Sequence, residues 1–494
     1  MENNKSKSVS KKKSKQGLMN DKTKTRLIVG LVIAFFVIST VGYFSFTLGL
    51  PAKILSAGTV AGQEVKVTEM NYRFYEVLNM YRQYGMVTSL QDLDEVINEE
   101  TGETYRDMIM NQAAQNLQRT KILAAEGRKN GFVAESVDAR IEAFVESVRT
   151  YAQESNTTSD RMLQNQYGKG ITLRDVKGYL KEEYYAEEYS EYLKQTSYSM
   201  TKEEMQAKYE ADPMTFETVT YNSYLFASKV DATVTDEELI KKGNEEAKKL
   251  AEAVVAKSTD PATFLAACKE ATGTESEADF AEGKDPTIFV DIEKSFTDVL
   301  DPTFTTFVFD PARAANDTAV IETKAGYYAV LFQSRNLDMT PSASYRVLTI
   351  EGTDLAAAKT EIEGYKAQVT DENSFIMLVK KNSDDATAYA GGYFAGITAS
   401  ATEAESATEA EPATEYEKKL NEWLFAEGRK TGDMIVIENI DSVSLFYFTN
   451  IMPGWMSTLN TQNVNTEFEA WYTTLSADPL LGYTINEENI KFAA

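Results

Sequence analysis

The sequence predicts an α+β multidomain chain: a transmembrane helix at the N-terminus, a helical domain that the C-terminal helix returns to complete, and two related α+β units between them. Three observations predict it. A long uncharged run follows a basic tail, the residue pattern changes from helical to strand-like near Glu217, and one pattern of residues recurs downstream at a constant offset. The expected boundaries are 1–26 for the basic tail, 27–50 for the membrane segment and 58–216 for the helical domain. The two α+β units follow at 217–337 and 342–450, and a terminal segment at 453–494.

From Leu27 to Leu50 run 24 residues without a charged side chain, which as a helix would span roughly 36 Å, enough for the hydrocarbon core of a bilayer. The tail before it carries nine Lys and Arg against Glu2 and Asp21, a balance of +7. By the positive-inside rule that end stays cytoplasmic, so the expectation is a single pass through the cell membrane with everything after it extracytoplasmic. A cleaved signal peptide fits less well. Its apolar region is usually about 7 to 15 residues, and the best exit site, Leu55-Ser56-Ala57, has Leu where a small residue is preferred.

The whole chain carries −26, so the part after the tail carries −33. A field of that sign excludes nucleic acid as a general partner. There is no histidine, and Cys268 is the one cysteine. This excludes His-based triads, Cys/His dyads, imidazole shuttles and ordinary zinc sites, and the expectation is of no metal and no cofactor. Leu265-Ala266-Ala267-Cys268 has the look of a lipoprotein acylation motif, but it lies far beyond the apolar segment and reads as buried helix.

Thr59 to Val65 suggests a hairpin around Gly62, and the chain then reads as helical to about residue 195. Met110, Ala113, Leu117 and Ala124 share one stripe, Gly131 stands at a C-cap position, and Ser136 opens the next helix. Strand-like runs follow at Thr220–Phe226, Ala319–Glu322, Tyr327–Gln333, Tyr345–Ile350 and Met434–Glu438. Phe307-Val308-Phe309, Arg313, Asp317 and Val320-Ile321-Glu322 recur as Trp423-Leu424-Phe425, Arg429, Asp433 and Val436-Ile437-Glu438, each displaced by 116 residues, which argues for an internal repeat. Residues 401–415, ATEAESATEAEPATE, contain no large apolar side chain and are expected to be a mobile acidic loop. Val464, Phe468, Trp471 and Leu475 form a tail stripe too apolar to stay in water.

The order of these parts resembles the PrsA/SurA-type extracytoplasmic foldases. The resemblance is carried by V-x-G-x-x-V-x-x-x-E at Val60 to Glu69, Ala125-Glu126-Gly127-Arg128-Lys129-Asn130-Gly131, Gln166-Tyr167-Gly168, and Thr201-Lys202-Glu203-Glu204 ahead of the first strand unit. It implies a helical chaperone domain and two parvulin-like domains. The sharpest match lies in the second unit, where Lys380-Lys381-Asn382-Ser383-Asp384-Asp385 and Gly391-Gly392-Tyr393-Phe394-Ala395-Gly396 are similar to the parvulin pattern.

By that resemblance Asp385 occupies the position of the isomerase pocket's Cys or Asp, and Arg346 in the second unit and Asn222 in the first fall where the family has its first-strand histidine. Tyr328, and Ser444 or Leu445, stand near the last-strand histidine position, and Gly391, Gly392 and Phe394 are the expected substrate-binding residues. An Asp before two glycines is more commonly an Asx turn. Prolyl isomerisation needs no covalent chemistry, so loss of the histidines weakens the expectation of catalysis without removing it. The resulting expectation is a membrane-anchored chaperone that binds unfolded or newly secreted polypeptides, with its parvulin-like units inactive. Its rivals are an active peptidyl-prolyl isomerase acting through the second unit and a cell-surface scaffold for one partner.

Overall fold

A computed structural model describes residues 49–227, 237–273, 280–281, 283–399 and 414–490. They form a mixed α/β multidomain chain with four small antiparallel sheets. Two units divide it, Met1–Tyr189 with Thr473–Ala494, and Ser190–Tyr472.

The first unit opens on a hairpin of β1, Ser56–Val60, and β2, Gln63–Lys66. Ala61 and Gly62 turn it with φ of 49° and 73°, the pair of positive values that a two-residue turn needs to match strand twist. Helices Val67–Gln83, Tyr105–Lys129, Val137–Glu154 and Ser159–Tyr167 follow, with a small hairpin of β3, Val96–Asn98, and β4, Glu103–Thr104, between the first two. Thr104 and Asp107 form a reciprocal capping box that starts the longest of these helices. Val60, Val65, Met70, Phe74, Leu78, Ile109 and Leu117 make one core, and Tyr483 and Ile485 pack against it from the far end of the chain. The strand Tyr483–Ile485 pairs antiparallel with β1, Thr484 opposite Thr59. Glu69, the acidic end of the Val60–Glu69 motif, holds the ammonium of buried Lys121 at 3.1 Å.

The second unit contains two modules of the same topology. In the first, β5 (Glu217–Ala227), β6 (Ile288–Glu293), β7 (Thr318–Thr323) and β8 (Gly326–Leu337) lie in the order β6-β5-β8-β7. In the second, β9 (Pro341–Glu351), β10 (Tyr393–Thr398), β11 (Met434–Glu438) and β12 (Ser442–Pro453) lie in the order β10-β9-β12-β11. Each sheet is covered on both faces. Helices Glu237–Lys257 and Pro261–Thr272 cover one face of the first, with Cys268 fully buried among Phe226, Phe264 and Leu331. Helices Leu355–Lys366 and Glu372–Asn382 cover the corresponding face of the second, around Ile362, Phe375 and Leu445.

The 116-residue repeat extends to individual contacts. Arg313 Nε donates to the carbonyl of Phe307 at 3.3 Å and Arg429 Nε to that of Trp423 at 2.8 Å. Each guanidinium also lies over the ring of that residue, 4.1 and 4.5 Å from its centre, and reaches Asp317 or Asp433.

The expected fold class is corrected on one point. No helix among the described residues is long and apolar enough to cross a membrane. The segment 27–50 that carried that expectation lies outside them except for Gly49 and Leu50, and Leu50 begins a five-residue helix, Leu50–Ile54. The C-terminal segment also adds the strand Tyr483–Ile485 to the first unit. Most of helix Gly454–Ser476 belongs to the second unit. There Phe468 is fully buried against Tyr198 and Trp471, while Trp455 and Leu459 cluster with Met205. Tyr198 and Met205 lie in the last part of residues 58–216, so the stripe finds its apolar cover on the stretch expected to form the helical domain. Of the acidic segment 401–415, residues 401–413 lie outside the described residues, and Thr414 caps the helix Glu415–Leu424.

Candidate functional site

Alternation along β9 decides which expected site residues can meet, because successive side chains point to opposite faces. Tyr345 packs with Phe446, Phe448 and Trp423 on one face, and Leu348 with Phe375 and Val379 on the other. Arg346 is thereby turned away from the face that Tyr345 occupies.

Arg346 is buried in the middle of the sheet, opposite Tyr447 on β12 and Tyr393 on β10. Its Nε donates to Glu372 Oε1 at 2.8 Å and its Nη2 to Gln195 Oε1 at 3.0 Å. Nη1 reaches the carbonyls of Ala390 at 3.3 Å and Gly391 at 3.1 Å. A buried guanidinium is tolerated when it is paired and hydrogen-bonded in this way, and here it ties the glycine turn to the helix Glu372–Asn382. That is a positioning role.

Asp385 sits at the head of the short turn Ala388–Ala390. Its Oδ1 accepts the main-chain N–H of Thr387 at 2.7 Å and also the Thr387 hydroxyl, and its carbonyl accepts Ala388 N–H at 2.9 Å. This is an Asx turn. The turn delivers Gly391 and Gly392 at φ of 70° and 65°. Gly392 accepts the N–H of Val347 at 2.9 Å, and a Cβ there would stand 2.1 Å from the Val347 carbonyl oxygen, so this position admits no side chain.

Phe394 then stacks on Tyr345, with ring centres 5.1 Å apart and planes 16° from parallel, and Phe446 meets Tyr345 edge-on at 5.4 Å. Burial pushes the Tyr345 phenol up to about 12, with the charges of Tyr416 and Asp385 adding to it. Burial raises Tyr416 as well, and its hydroxyl donates to Ser444 Oγ at 3.1 Å, where Ser444 also meets the Thr349 hydroxyl at 2.9 Å.

The structure therefore brings Phe394 to Tyr345, within reach of the charge on Asp385, and Gly391 to Arg346. It places Arg346 and Tyr345 on opposite faces. Compared with known families and characterised proteins, the chain matches no family model and no curated protein. What the site can do is set by its own chemistry.

That chemistry is an aromatic floor edged by two hydroxyls and a carboxylate. At neutral pH the phenols keep their protons, so they offer hydrogen bonds and no nucleophile. Among the described residues no group of three or more His, Cys, Asp or Glu is arranged to hold a metal ion. The first module repeats the floor, with Tyr221 stacked on Phe289 at 5.2 Å and 17°. Of the histidine positions of the resembled family, Ser444 leads to Tyr416, from whose hydroxyl it accepts, and none leads to Tyr345. The signal available for Tyr345 was its pairing with the aromatic that closely follows the two glycines, matched in the other module by Tyr221.

Proposed function

We propose that this chain is an extracytoplasmic chaperone of the foldase class, binding unfolded or newly secreted polypeptides, with two parvulin-like modules that do not isomerise prolines. One observation carries the reading. In the first unit Met80, Tyr84, Met86, Leu90, Val96 and Ile97 are all exposed, Tyr84 by 72 % and Met86 by 56 %. Large apolar side chains concentrated in one exposed stretch mark an interaction surface, and methionine among them suits partners of varied sequence. The two modules lend support through their common topology and through the stacked aromatic pair that each carries. The extracytoplasmic placement rests on the charge step between residues 1–26 and the uncharged run 27–50.

The test is suppression of aggregation of several unrelated denatured clients by the full chain. Activity toward all of them, reduced in a Met86→Ser, Leu90→Ser double variant, is the expected result. Activity toward a single client would replace the chaperone with a dedicated scaffold. Isomerisation of a proline peptide, measured on the same preparation, is expected at the uncatalysed rate, and acceleration abolished by Tyr345→Ala would make the second module an enzyme.

A further inference from the structure

The two modules differ at one place where their backbones agree. In each, a bulge in the last long strand leaves one residue unpaired: Gln333 between Phe332 and Ser334 in β8, and Thr449 between Phe448 and Asn450 in β12. A bulge re-aims its extra side chain out of the ladder. In the first module Gln333 Nε2 donates to Asn222 Oδ1 at 2.6 Å, so the site is filled by the module's own side chains. In the second, the position of Asn222 is taken by Arg346, which is engaged with Glu372, and the position of Gln333 by the shorter Thr449.

The consequence is a cleft of about 240 Å³, lined by Thr449, Asn450, Arg346, Glu372, Met200 and Met452 among others. Thr449 is more than nine-tenths buried, yet its Oγ1 meets no hydrogen-bond partner, and the buried Oδ1 of Asn450 meets none either. Buried polar atoms are nearly always satisfied, and exceptions call for a reason. The one charged pair on the wall, Arg346 and Glu372, is closed on itself at 2.8 Å, so the cleft presents no net charge.

We infer that this cleft is a second binding site, for one uncharged peptide group of a client chain. Thr449 Oγ1 can donate and Asn450 Oδ1 can accept, the two functions that complement an amide's C=O and N–H. Met200 and Met452 give an adaptable apolar wall to whatever side chain flanks that amide. The inference rests on the polypeptide-binding reading for its biological ligand, but its test does not.

The full chain, labelled on its methionine methyl groups, is titrated with N-acetyl-alanyl-alanine methylamide. Saturable shifts at Met200 and Met452 are expected. The same molecule with an ester in place of its central amide should bind about tenfold more weakly, the effect of one hydrogen bond to a buried acceptor. Thr449→Val should lose the shifts while raising the melting temperature, because it removes an unpartnered buried hydroxyl, and Thr449→Ser should keep them. Absence of saturable shifts, equal binding of the ester, an unchanged titration in Thr449→Val, or shifts with glucose and none with the dipeptide would each overturn the assignment. If the dipeptide binds but aggregation is not suppressed, the chaperone reading fails and the cleft stands.

Discussion

Asp385 and Arg346, the residues that the resemblance singles out, are each engaged in holding the glycine turn. Asp385 holds the turn that delivers two glycines against β9, so Asp385→Ala should cost about 1 kcal/mol, the usual worth of a side-chain cap to backbone N–H. Asp385→Asn should cost less, as read from urea midpoints. Tyr345 makes a pH prediction. A phenol ionises near 10 in the unfolded chain and at about 12 in the fold. Its contribution to stability is therefore complete below pH 10 and is lost as the pH rises toward 12, where the unfolded chain gives up a proton that the folded one keeps. Between pH 9.5 and 11.5 the wild type should lose more stability than Tyr345→Phe. Arg346 was legible as a strand residue but not its direction, because both faces of β9 are buried and the alternation of polarity that would reveal its facing is absent.

Among elements, the repeat was legible where spacing is conserved and hidden where it is not. The pieces around β7–β8 and β11–β12 keep an offset of 116, whereas Tyr221 and Tyr345, equivalent by register, are 124 apart and the stacked Phe289 and Phe394 are 105 apart. Insertions on either side of the edge strand conceal the rest. β12 is buried along most of its length and so lacks an alternating pattern, and β6 and β10 are short. Ser136 precedes a helix without capping it; its hydroxyl instead donates to buried Glu188 at 2.6 Å, a partner far along the chain that no local pattern announces. The tail stripe was legible as apolar, and its cover does come from residues 58–216, but the individual side chains it meets were not legible. Phe468 is fully buried beside Tyr198 and Trp471 in the second unit, so Phe468→Ala should cost that unit about 3 to 5 kcal/mol. Two-step melting followed by amide exchange should find the loss in residues 190–472, with the hairpin at 56–66 keeping its protection.

At the scale of the whole molecule, composition excludes chemistry more firmly than it assigns any. The missing histidines remove His-based triads and imidazole shuttles, and a net charge of −26 opposes binding to a polyanion through the general field of the chain. What remains is a chain with an exposed apolar stretch in one unit and two aromatic-floored modules in the other, and the central claim is that the exposed stretch holds unfolded polypeptide. The most direct measurement places a photo-crosslinking residue at Met86 in the full chain and illuminates it with a client that is either native or freshly diluted from denaturant. Crosslinks to the unfolded client and none to the native one are predicted, with the same residue placed at exposed Glu146 giving neither. Equal crosslinking to both forms, or none to the unfolded client while aggregation is still suppressed, would contradict it.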